Sequence, residues 1–287
     1  MIDFPLRREY MKVKTLSGYD ARKHEVGEAI LEFTITAHNF LLTECEQIDL
    51  ISRVPGKDYY TFAARNVVGR AVNRHLFLND AHRVIELWQG WLNNQITPTD
   101  FAQLSYTIAL APCLAMEIFD RQNKKGPATY FEHFIGHLFA KTLATSPTKR
   151  VRLPLGDRHV LMTMDFLFDI GERHRKIHLP VKMSTRERVV QAWAHQRLLD
   201  AAYGEKTYRG IMVLFSETKL DSRSREVVEI CVPDQWLVYQ TLLAKMDRIY
   251  YFDLPERYRI LASSYPEIIT IKQFGEFFSE REEVLRS

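Results

Sequence analysis

Cysteine is scarce in this sequence, and the three cysteines lie far apart. Cys45, Cys113 and Cys231 form no CxxC pair, and an odd, sparse set argues against a disulfide framework and is typical of a reducing compartment. The apolar runs end before the roughly 18 residues that a membrane helix needs. The start, MIDFPLRREY, lacks the apolar stretch of a signal peptide. These absences predict a cytoplasmic protein without a membrane-spanning segment.

Several cofactor and metal motifs are also missing. The sequence contains no P-loop, no GxSxG elbow and no dinucleotide-binding glycine fingerprint, so no organic cofactor is expected. His133 and His137 have the i, i+4 spacing of a helical zinc site, but the zinc-protease signature needs its glutamate between the histidines. Glu132 lies before the pair, and no distant third ligand stands out, so we do not predict zinc.

Charge of one sign is not in large excess, but it is unevenly distributed. The 287 residues are 46% hydrophobic and 26% charged, with a net charge of +3, which is ordinary for a chain with one large core or two modest ones. Residues 149–188 nevertheless hold ten lysines or arginines against five acids. Such a window indicates either a surface that faces a polyanion or an ordinary solvated charged face.

The spacing of apolar residues predicts helices first and strands later. Helices are predicted at 61–77, 80–94, 98–120, 128–143, 184–204 and 233–246, and strands at 159–170, 176–183, 208–218, 225–232 and 248–254. Gly204 is expected to end the fifth helix. We therefore expect an α/β fold with a mixed sheet flanked by helices. Residues 1–125 would form a mainly helical N-terminal region, and residues 126–287 one continuous compact core.

A polar segment, 171-GERHRK-176, separates the first two predicted strands and is opened by glycine, which predicts a β-hairpin. If its turn is centred between Arg173 and His174, Asp165 and Lys182 face each other on neighbouring strands. Asp165 has apolar neighbours on both sides, where an isolated charge would be costly. The couple is therefore predicted to be either a structural ion pair or part of a metal-dependent phosphodiesterase centre.

The order of these features resembles the PD-(D/E)XK nuclease core: an apolar strand with an aspartate, a hairpin, a strand ending in lysine, then a helix. The resemblance covers roughly residues 128–252. In that family Asp165 and Lys182 would be the two central catalytic residues. Mg²⁺ is the cofactor that the resemblance implies, because a hard cation takes oxygen ligands such as a carboxylate on a rigid strand. The neighbouring lysine would hold the scissile phosphate and favour hydroxide as the attacking group.

Lys182 is followed, after three residues, by Arg186, Glu187 and Arg188. This spacing is similar to that of type II restriction endonucleases that read CCGG or CCNGG sequences, in which an Arg-acid-Arg unit after the catalytic lysine reads base edges. Arginine donates to guanine O6 and N7 and glutamate accepts from cytosine N4, which suits neighbouring C·G pairs. Alternatively, Ser184 and Glu187 form a capping box, an explanation that leaves both arginines unaccounted for.

The sequence departs from the family pattern at the third catalytic group. Pro180 stands two residues before the lysine, where the plain motif has an acid. The CCGG readers often carry that acid about thirteen residues after the lysine, and this chain has His195 there, followed by Gln196. Imidazole is a poor direct ligand for Mg²⁺, so His195 is expected to orient water or phosphate, or to be an ordinary half-buried histidine. Glu132 is the candidate for the missing carboxylate, with Asp169 as the fallback.

The resemblance implies a type II restriction endonuclease that cleaves double-stranded DNA at a short, palindromic, GC-containing site. Asp165, the backbone carbonyl of Val181 and Glu132 would hold Mg²⁺, and Lys182 would position the attacking water. Phosphate contacts are expected from Lys149, Arg150, Arg152 and Gln191. A palindromic site is matched by a two-fold symmetric protein, so a homodimer is expected, with the N-terminal region supplying its interface or contacts to flanking DNA.

Two other functions are consistent with the same residues. One is a repair or recombination nuclease that recognises DNA structure rather than sequence. The other is a catalytically inactive nuclease fold that only binds DNA, which Pro180 and His195 make plausible. The basic window could also contact nothing, and this alternative predicts no duplex binding at low salt.

Overall fold

The computed structural model describes residues 5–120, 122–123, 125–172, 174–184, 189–221 and 223–286. The chain divides into two compact units: Met1–His137 with Glu217–Ile230, and Leu138–Ser216 with Cys231–Ser287. The expected division lay between residues 125 and 126, and the observed one differs from it. The second half is not one continuous unit, because a strand at 226–229 pairs with a strand at 51–52 in the first unit.

Helices and strands alternate in blocks along the chain. The helices are α1 (Pro5–Tyr19), α2 (His24–Glu44), α3 (Ala81–Leu92), α4 (Pro98–Phe119), α5 (Gly126–Leu143), α6 (Val190–Tyr203), α7 (Pro233–Val238), α8 (Glu256–Ser264) and α9 (Phe274–Arg286). The strands are β1 (Glu46–Asp49), β2 (Ile51–Ser52), β3 (Tyr59–Ala64), β4 (Val67–Val68), β5 (Val72–Asn73), β6 (Thr148–Leu155), β7 (Arg158–Phe168), β8 (Lys176–Leu179), β9 (Val181–Lys182), β10 (Tyr208–Leu214), β11 (Thr218–Asp221), β12 (Glu226–Glu229), β13 (Arg248–Tyr251) and β14 (Ile271–Gln273).

The first unit is built around α4, which is apolar on all sides. By length and composition α4 could cross a membrane, but 89% of its most apolar window is buried within the structure, as in the core helix of a folded domain. Thr97 caps its start by accepting a hydrogen bond from the Asp100 amide, and Pro98 fits the first turn. The predicted helices at 80–94, 98–120 and 128–143 are confirmed as α3, α4 and α5.

The predicted helix at 61–77 is wrong, because this segment forms the antiparallel strands β3, β4 and β5. Ala64 pairs with Val67, and the two residues between them, Arg65 and Asn66, have φ angles of 52° and 62°. Positive φ at both central residues is the geometry of a tight hairpin turn that matches the twist of its strands. Apolar residues at helical spacing in this segment also suit short strands, so the local pattern alone did not separate the two.

The second unit contains a mixed sheet in the order β14-β13-β10-β8-β7-β6, with the short strand β9 also pairing with β10. The strands β8, β9, β13 and β14 run in the same direction as β10, whereas β7 is antiparallel to both β6 and β8. The predicted strands at 159–170, 176–183, 208–218 and 248–254 are confirmed in this sheet. The predicted strand at 225–232 is confirmed as β12, but it belongs to the first unit.

Helices cover both faces of this sheet. Every residue of the central strand β10 is buried. On one face Trp193 of α6 and Trp236 of α7 pack with Tyr251. On the other face Phe277 of α9 packs against the neighbouring Tyr250 at a ring distance of 5.5 Å, since consecutive strand residues point to opposite faces. The predicted helix at 233–246 begins as α7 and continues as a π-helical turn, Tyr239–Leu243.

Candidate active site

The register between β7 and β8 differs from the sequence-based expectation by two residues. Phe166 pairs with Leu179, a register that places Asp165 opposite Pro180 rather than opposite Lys182. The expected face-to-face placement of Asp165 and Lys182 in the β7–β8 ladder is therefore wrong. The cause is the position of the turn, which is earlier in the chain than we assumed.

The hairpin turn begins at a glycine. Gly171 has a φ of +100°, a conformation that is costly for residues with a side chain. The amide of His174 donates to the Gly171 carbonyl at 3.2 Å, which closes the hairpin turn. At the strand ends next to this turn, Lys176 forms an ion pair with Asp169 at 2.5 Å.

The side chains of Asp165 and Lys182 nevertheless meet. Lys182 Nζ lies 2.6 Å from Asp165 Oδ2, and the amide of Val181 donates to the same oxygen at 2.9 Å. Strand β9 continues β8 past Pro180 and keeps the same register with β10, so Lys182 lies beside Leu214. From this position the long lysine side chain reaches back to the carboxylate. Both side chains keep about a fifth of their surface exposed, 22% and 23%, so the pair is open to a ligand.

A register irregularity in the sheet is centred on Asp165. Between β6 and β7 the pairing steps from Arg150↔Thr163 to Thr148↔Leu167, so four steps along β7 match two along β6. Such irregularities change the direction of a side chain and often lie beside functional sites. Here the irregular segment turns Leu167 to the face that α6 covers, where it packs with Leu199.

The remaining hydrogen-bonding groups of the pair suit a hard cation. Within the part of the chain that the structure describes, Asp165 Oδ1 has no hydrogen-bond partner. The carbonyls of Pro180 and Lys182 accept hydrogen bonds from amides of β10 and of the residue after it. Because alternate residues of a strand point their backbone groups to opposite sides, the carbonyl of Val181 points toward β7, as its amide does. A carboxylate oxygen and a peptide carbonyl are ligands that Mg²⁺ accepts. Mg²⁺ is usually held by one or two carboxylates, with waters and substrate phosphate completing the shell.

Two histidines lie on the α6 side of this pair. His195 is half-buried on α6, and burial lowers its pKa; the Asp165 carboxylate opposes this shift and the Lys182 ammonium adds to it. Its ring is 6.3 Å from that of His178, which is fully buried on β8. Burial lowers the pKa of His178 to about 4, so this ring is uncharged at neutral pH. The site therefore has a neutral imidazole wall beside one carboxylate and one ammonium.

The side chain of Gln196 is used inside the fold, so it does not replace the missing acid. His178 Nδ1 and Gln196 Oε1 are 3.0 Å apart, and Gln196 Nε2 donates to Asp200 and to the carbonyl of Tyr208. Gly210 makes room for it, because a Cβ there would lie 2.8 Å from Gln196 Oε1. Sequence analysis did not single out His178. A histidine inside an apolar strand, IHL, was the available signal.

The candidates for the third catalytic group have different outcomes. Asp169, the fallback ligand, is not at the site: it lies four residues from Asp165 beside the hairpin turn, where the ion pair with Lys176 and the Gly171 amide lower its pKa. Glu132 is half-buried on α5 within the first unit, and its catalytic role stays a prediction. Among the described residues no group of three or more His, Cys, Asp or Glu side chains is arranged to hold a metal.

The predicted DNA contacts fall into two sets. Arg186, Glu187 and Arg188 lie outside the described residues, so their base-reading role stays a prediction. Gln191 is exposed in the first turn of α6. The predicted phosphate contacts Lys149, Arg150 and Arg152 are exposed on β6, with Lys149 Nζ lying 4.6 Å from the ring centroid of Phe166.

The arrangement of sheet and helices is that of a restriction endonuclease fold. Among solved structures, the chain is similar to the Type IIP restriction endonuclease Kpn2I, with a TM-score of 0.83 and 21% sequence identity over 98% of this chain and 97% of Kpn2I. It also aligns with the restriction endonuclease PspGI in complex with substrate DNA, with a TM-score of 0.44 and 14% identity over 71% of this chain and 92% of PspGI. No protein-family model and no curated protein matches the chain.

Proposed function

We propose that this protein is a type II restriction endonuclease, a Mg²⁺-dependent enzyme that hydrolyses double-stranded DNA at a short, palindromic, GC-containing site of the CCGG or CCNGG kind. The observation that carries the proposal is the 2.6 Å contact between Lys182 and Asp165, where β7 and β9 meet, in a chain that has the fold of these enzymes along 98% of its length. The pair is only part-buried, as a centre that must meet a DNA phosphate requires.

In this mechanism each group of the pair has a separate task. Asp165 Oδ1 and the Val181 carbonyl would hold Mg²⁺, which supplies charge neutralisation at the phosphate and makes a bound water more acidic. The Lys182 ammonium holds the scissile phosphate and orients the attacking water. The new bond joins the water oxygen to phosphorus, and the bond to the 3′ oxygen breaks in line, which leaves 5′-phosphate and 3′-hydroxyl ends. No covalent enzyme intermediate is required.

The third group of the centre is assigned by elimination. His195 borders the pair and would orient water or phosphate through its neutral imidazole, because imidazole is a poor ligand for Mg²⁺. Glu132 stays the proposed source of a second carboxylate, acting through a water. One direct carboxylate is enough for Mg²⁺ only if substrate phosphate and water complete its shell, so we expect metal affinity to be low without DNA.

Recognition is assigned to residues after the catalytic lysine. Arg186 and Arg188 would donate to guanine, and Glu187 would accept from cytosine, in the major groove. Gln191, Lys149, Arg150 and Arg152 would contact phosphates. A palindromic site implies a homodimer with two-fold symmetry. We place the protein in the cytoplasm, where its DNA substrate lies.

The test is digestion of plasmid and phage DNA with Mg²⁺, followed by sequencing of the ends. A ladder of discrete fragments with one shared end sequence is expected for the wild type, and no cleavage for Lys182→Ala or Asp165→Asn. Lys176→Ala is a matched control, because it removes a lysine–aspartate pair from the same sheet at the hairpin turn. Fragments without a shared sequence would instead indicate a structure-specific nuclease. Duplex binding without cleavage would indicate an inactive nuclease fold.

A further inference from the structure

The antiparallel ribbon formed by β6 and β7 extends past the site. Among the described residues, β7 pairs with β8 only from Phe166 to Phe168, and the register irregularity separates this pairing from Thr163 and the residues before it. Strand β7 begins at Arg158, so its first five residues, together with the β6 segment that pairs with them, have no neighbour in β8 or β9. At about 3.4 Å per residue the overhang is roughly 17 Å long. We call residues 150–163 the ribbon. It borders the same edge of the sheet as Lys182.

The two faces of the ribbon differ in chemistry. Val151 and Leu153 are buried with Leu199 of α6, so this face holds the ribbon onto the unit. The register puts Arg152 opposite Leu161 on the other face. Leu161 is 54% exposed, although leucine is usually buried. The ribbon is therefore anchored on one side and displays arginine and exposed apolar surface on the other.

The arginines of the ribbon lack acidic partners. Arg150, Arg152 and Arg158 are all exposed, and within the described ranges none of them has a carboxylate within ion-pair distance. Asp157, at the tip, is the only acid between Thr148 and Thr163. Many other arginines of the same unit do have such partners, for example Arg175, Arg248 and Arg259. Three exposed guanidinium groups without internal partners complement a polyanion that comes from outside the chain.

We infer that the ribbon is an arm that binds the backbone phosphates of duplex DNA beside the cleaved site. The inference rests on the proposed function. An overhang of roughly 17 Å corresponds to about five base pairs at 3.4 Å each, so the arm engages DNA outside a short recognition sequence. Arg150 and Arg152, on the face of Leu161, contact phosphates, and the exposed side chain of Leu161 packs against sugars. Arg158, which pairs with Leu155 near the tip on the other face, contacts a phosphate from the end of the ribbon. Such contacts position the duplex and carry no sequence information.

The arm makes cleavage depend on the length of DNA beside the site. The measurement compares duplexes with one recognition site and flanks of about 2, about 6 and about 12 base pairs, a series that spans the reach of the ribbon. We expect the wild-type kcat/KM to fall at least about tenfold from the longest to the shortest flank. In the triple variant Arg150→Ala, Arg152→Ala, Arg158→Ala, the long-to-short ratio should approach one. Binding with Ca²⁺ in place of Mg²⁺ should show the same loss of flank dependence.

The control is a second triple variant that removes the same number of positive charges as the ribbon variant. Arg197→Ala, Lys206→Ala, Lys245→Ala removes three exposed cations from the opposite edge of the sheet, and it should keep the flank dependence of the wild type. The inference is overturned if the ribbon variant, folded with an unchanged Tm, keeps that dependence too. A wild type that binds duplexes but cuts none would defeat the proposed function alone, because the binding series still decides the role of the ribbon.

Discussion

Both edges of the sheet in the second unit carry cations, but these cations differ in how many carboxylate partners they have. At the edge where the parallel strands begin, Arg175 and Arg209 share the carboxylate of Asp247, at 2.9 and 3.0 Å. At the edge where those strands end, the described residues give Lys182 a single carboxylate partner and give the arginines of the ribbon none. At the first edge the arginines are neutralised by carboxylates of the chain, and at the second the arginines are available to an external anion.

The starting edge is built as a closed network. Arg209 is 9% exposed, and burial lowers its pKa, although the adjacent Asp247 opposes the shift. Arg248 lies 3.5 Å from both Glu280 and Glu283 of α9, so the same network fixes the C-terminal helix. Cavities at this edge are lined by acids and bases together. Each lining holds four cations and three carboxylates, so most of its charge is neutralised within the chain, which is why we assign this edge to stability.

The presence or absence of a carboxylate partner distinguishes structural cations from functional ones. A guanidinium that already has a carboxylate gains little from a phosphate, because the internal pair must first be broken. An exposed guanidinium without a partner keeps its full attraction for one. Variants at the ending edge should therefore change activity and binding, and variants at the starting edge should change the free energy of unfolding.

The largest effect should follow from Lys182→Ala. Loss of the group that holds phosphate and orients water should lower kcat by about 10³-fold or more, measured on a single-site duplex with Mg²⁺. Duplex binding with Ca²⁺ should change much less, because the arginines remain. Lys176→Ala should leave kcat within about twofold, since an exposed ion pair contributes little. An active Lys182→Ala enzyme would make the comparison of the two edges untenable.

The second largest effect should come from the starting edge. Asp247→Ala removes the carboxylate that Arg175 and Arg209 share and leaves a buried cation without its partner. Breaking such a pair costs about 4 kcal/mol, to be measured as the free energy of unfolding in urea. Glu256→Ala, which breaks the exposed pair with Arg259, is the control and should cost less than about 1 kcal/mol. If both variants lowered the free energy of unfolding equally, the buried pair would stabilise the fold no more than the exposed one.

The contact between Asp165 and Lys182 could be predicted from the sequence because its signals are local. The apolar strand around Asp165, the glycine that opens the hairpin and the lysine at a strand end all lie within a short segment. The exact register was not available from that segment, because it depends on which residue begins the turn. The position of Lys182 also depends on the pairing of β8 and β9 with β10, a strand more than twenty residues further along the chain.

Features that depend on distant parts of the chain were missed. The strand at 226–229 pairs with residues 51–52, and nothing in either short segment indicates the other. The buried role of Gln196 depends on a glycine on another strand, Gly210, and on His178. The apolar residues of segment 61–77 fit both the spacing of a helix and that of short strands. The turn at Arg65 and Asn66, where φ is positive, is the feature that shows the segment to be strands.

A pH-dependent effect of intermediate size should come from His178. Its pKa is lowered to about 4 in the folded protein, against an ordinary value of 6.5. Above about pH 6.5 the imidazole of residue 178 is uncharged in both the folded and the unfolded protein. Below that pH it binds a proton in the unfolded chain but stays neutral while it is buried in the folded protein. The free energy of unfolding should fall by up to about 3 kcal/mol as the pH drops from about 6.5 to about 4.

Denaturant titrations across that pH range, without metal, test this expectation. His178→Leu should be less stable at neutral pH, because Gln196 loses a partner, but it should lose less of its stability on acidification than the wild type. His174→Gln, at an exposed position in the hairpin turn, should keep the wild-type slope. The titratable groups that act on His178 are His195, Asp165 and Lys182. An unchanged slope in His178→Leu would assign the acid sensitivity to one of these instead.

The smallest effect should come from a single arginine of the ribbon. Arg152→Ala should leave the free energy of unfolding within about 0.5 kcal/mol, because the side chain is exposed and has no acidic partner among the described residues. Loss of one phosphate contact should lower the slope of log affinity against log salt by about 0.9, measured with Ca²⁺ on a long duplex. Arg259→Ala removes an arginine that is also exposed but already paired with Glu256, so its salt slope should match that of the wild type. If the two variants shift the slope equally, internal pairing does not decide which cations bind DNA, and the ribbon is no more than a solvated face.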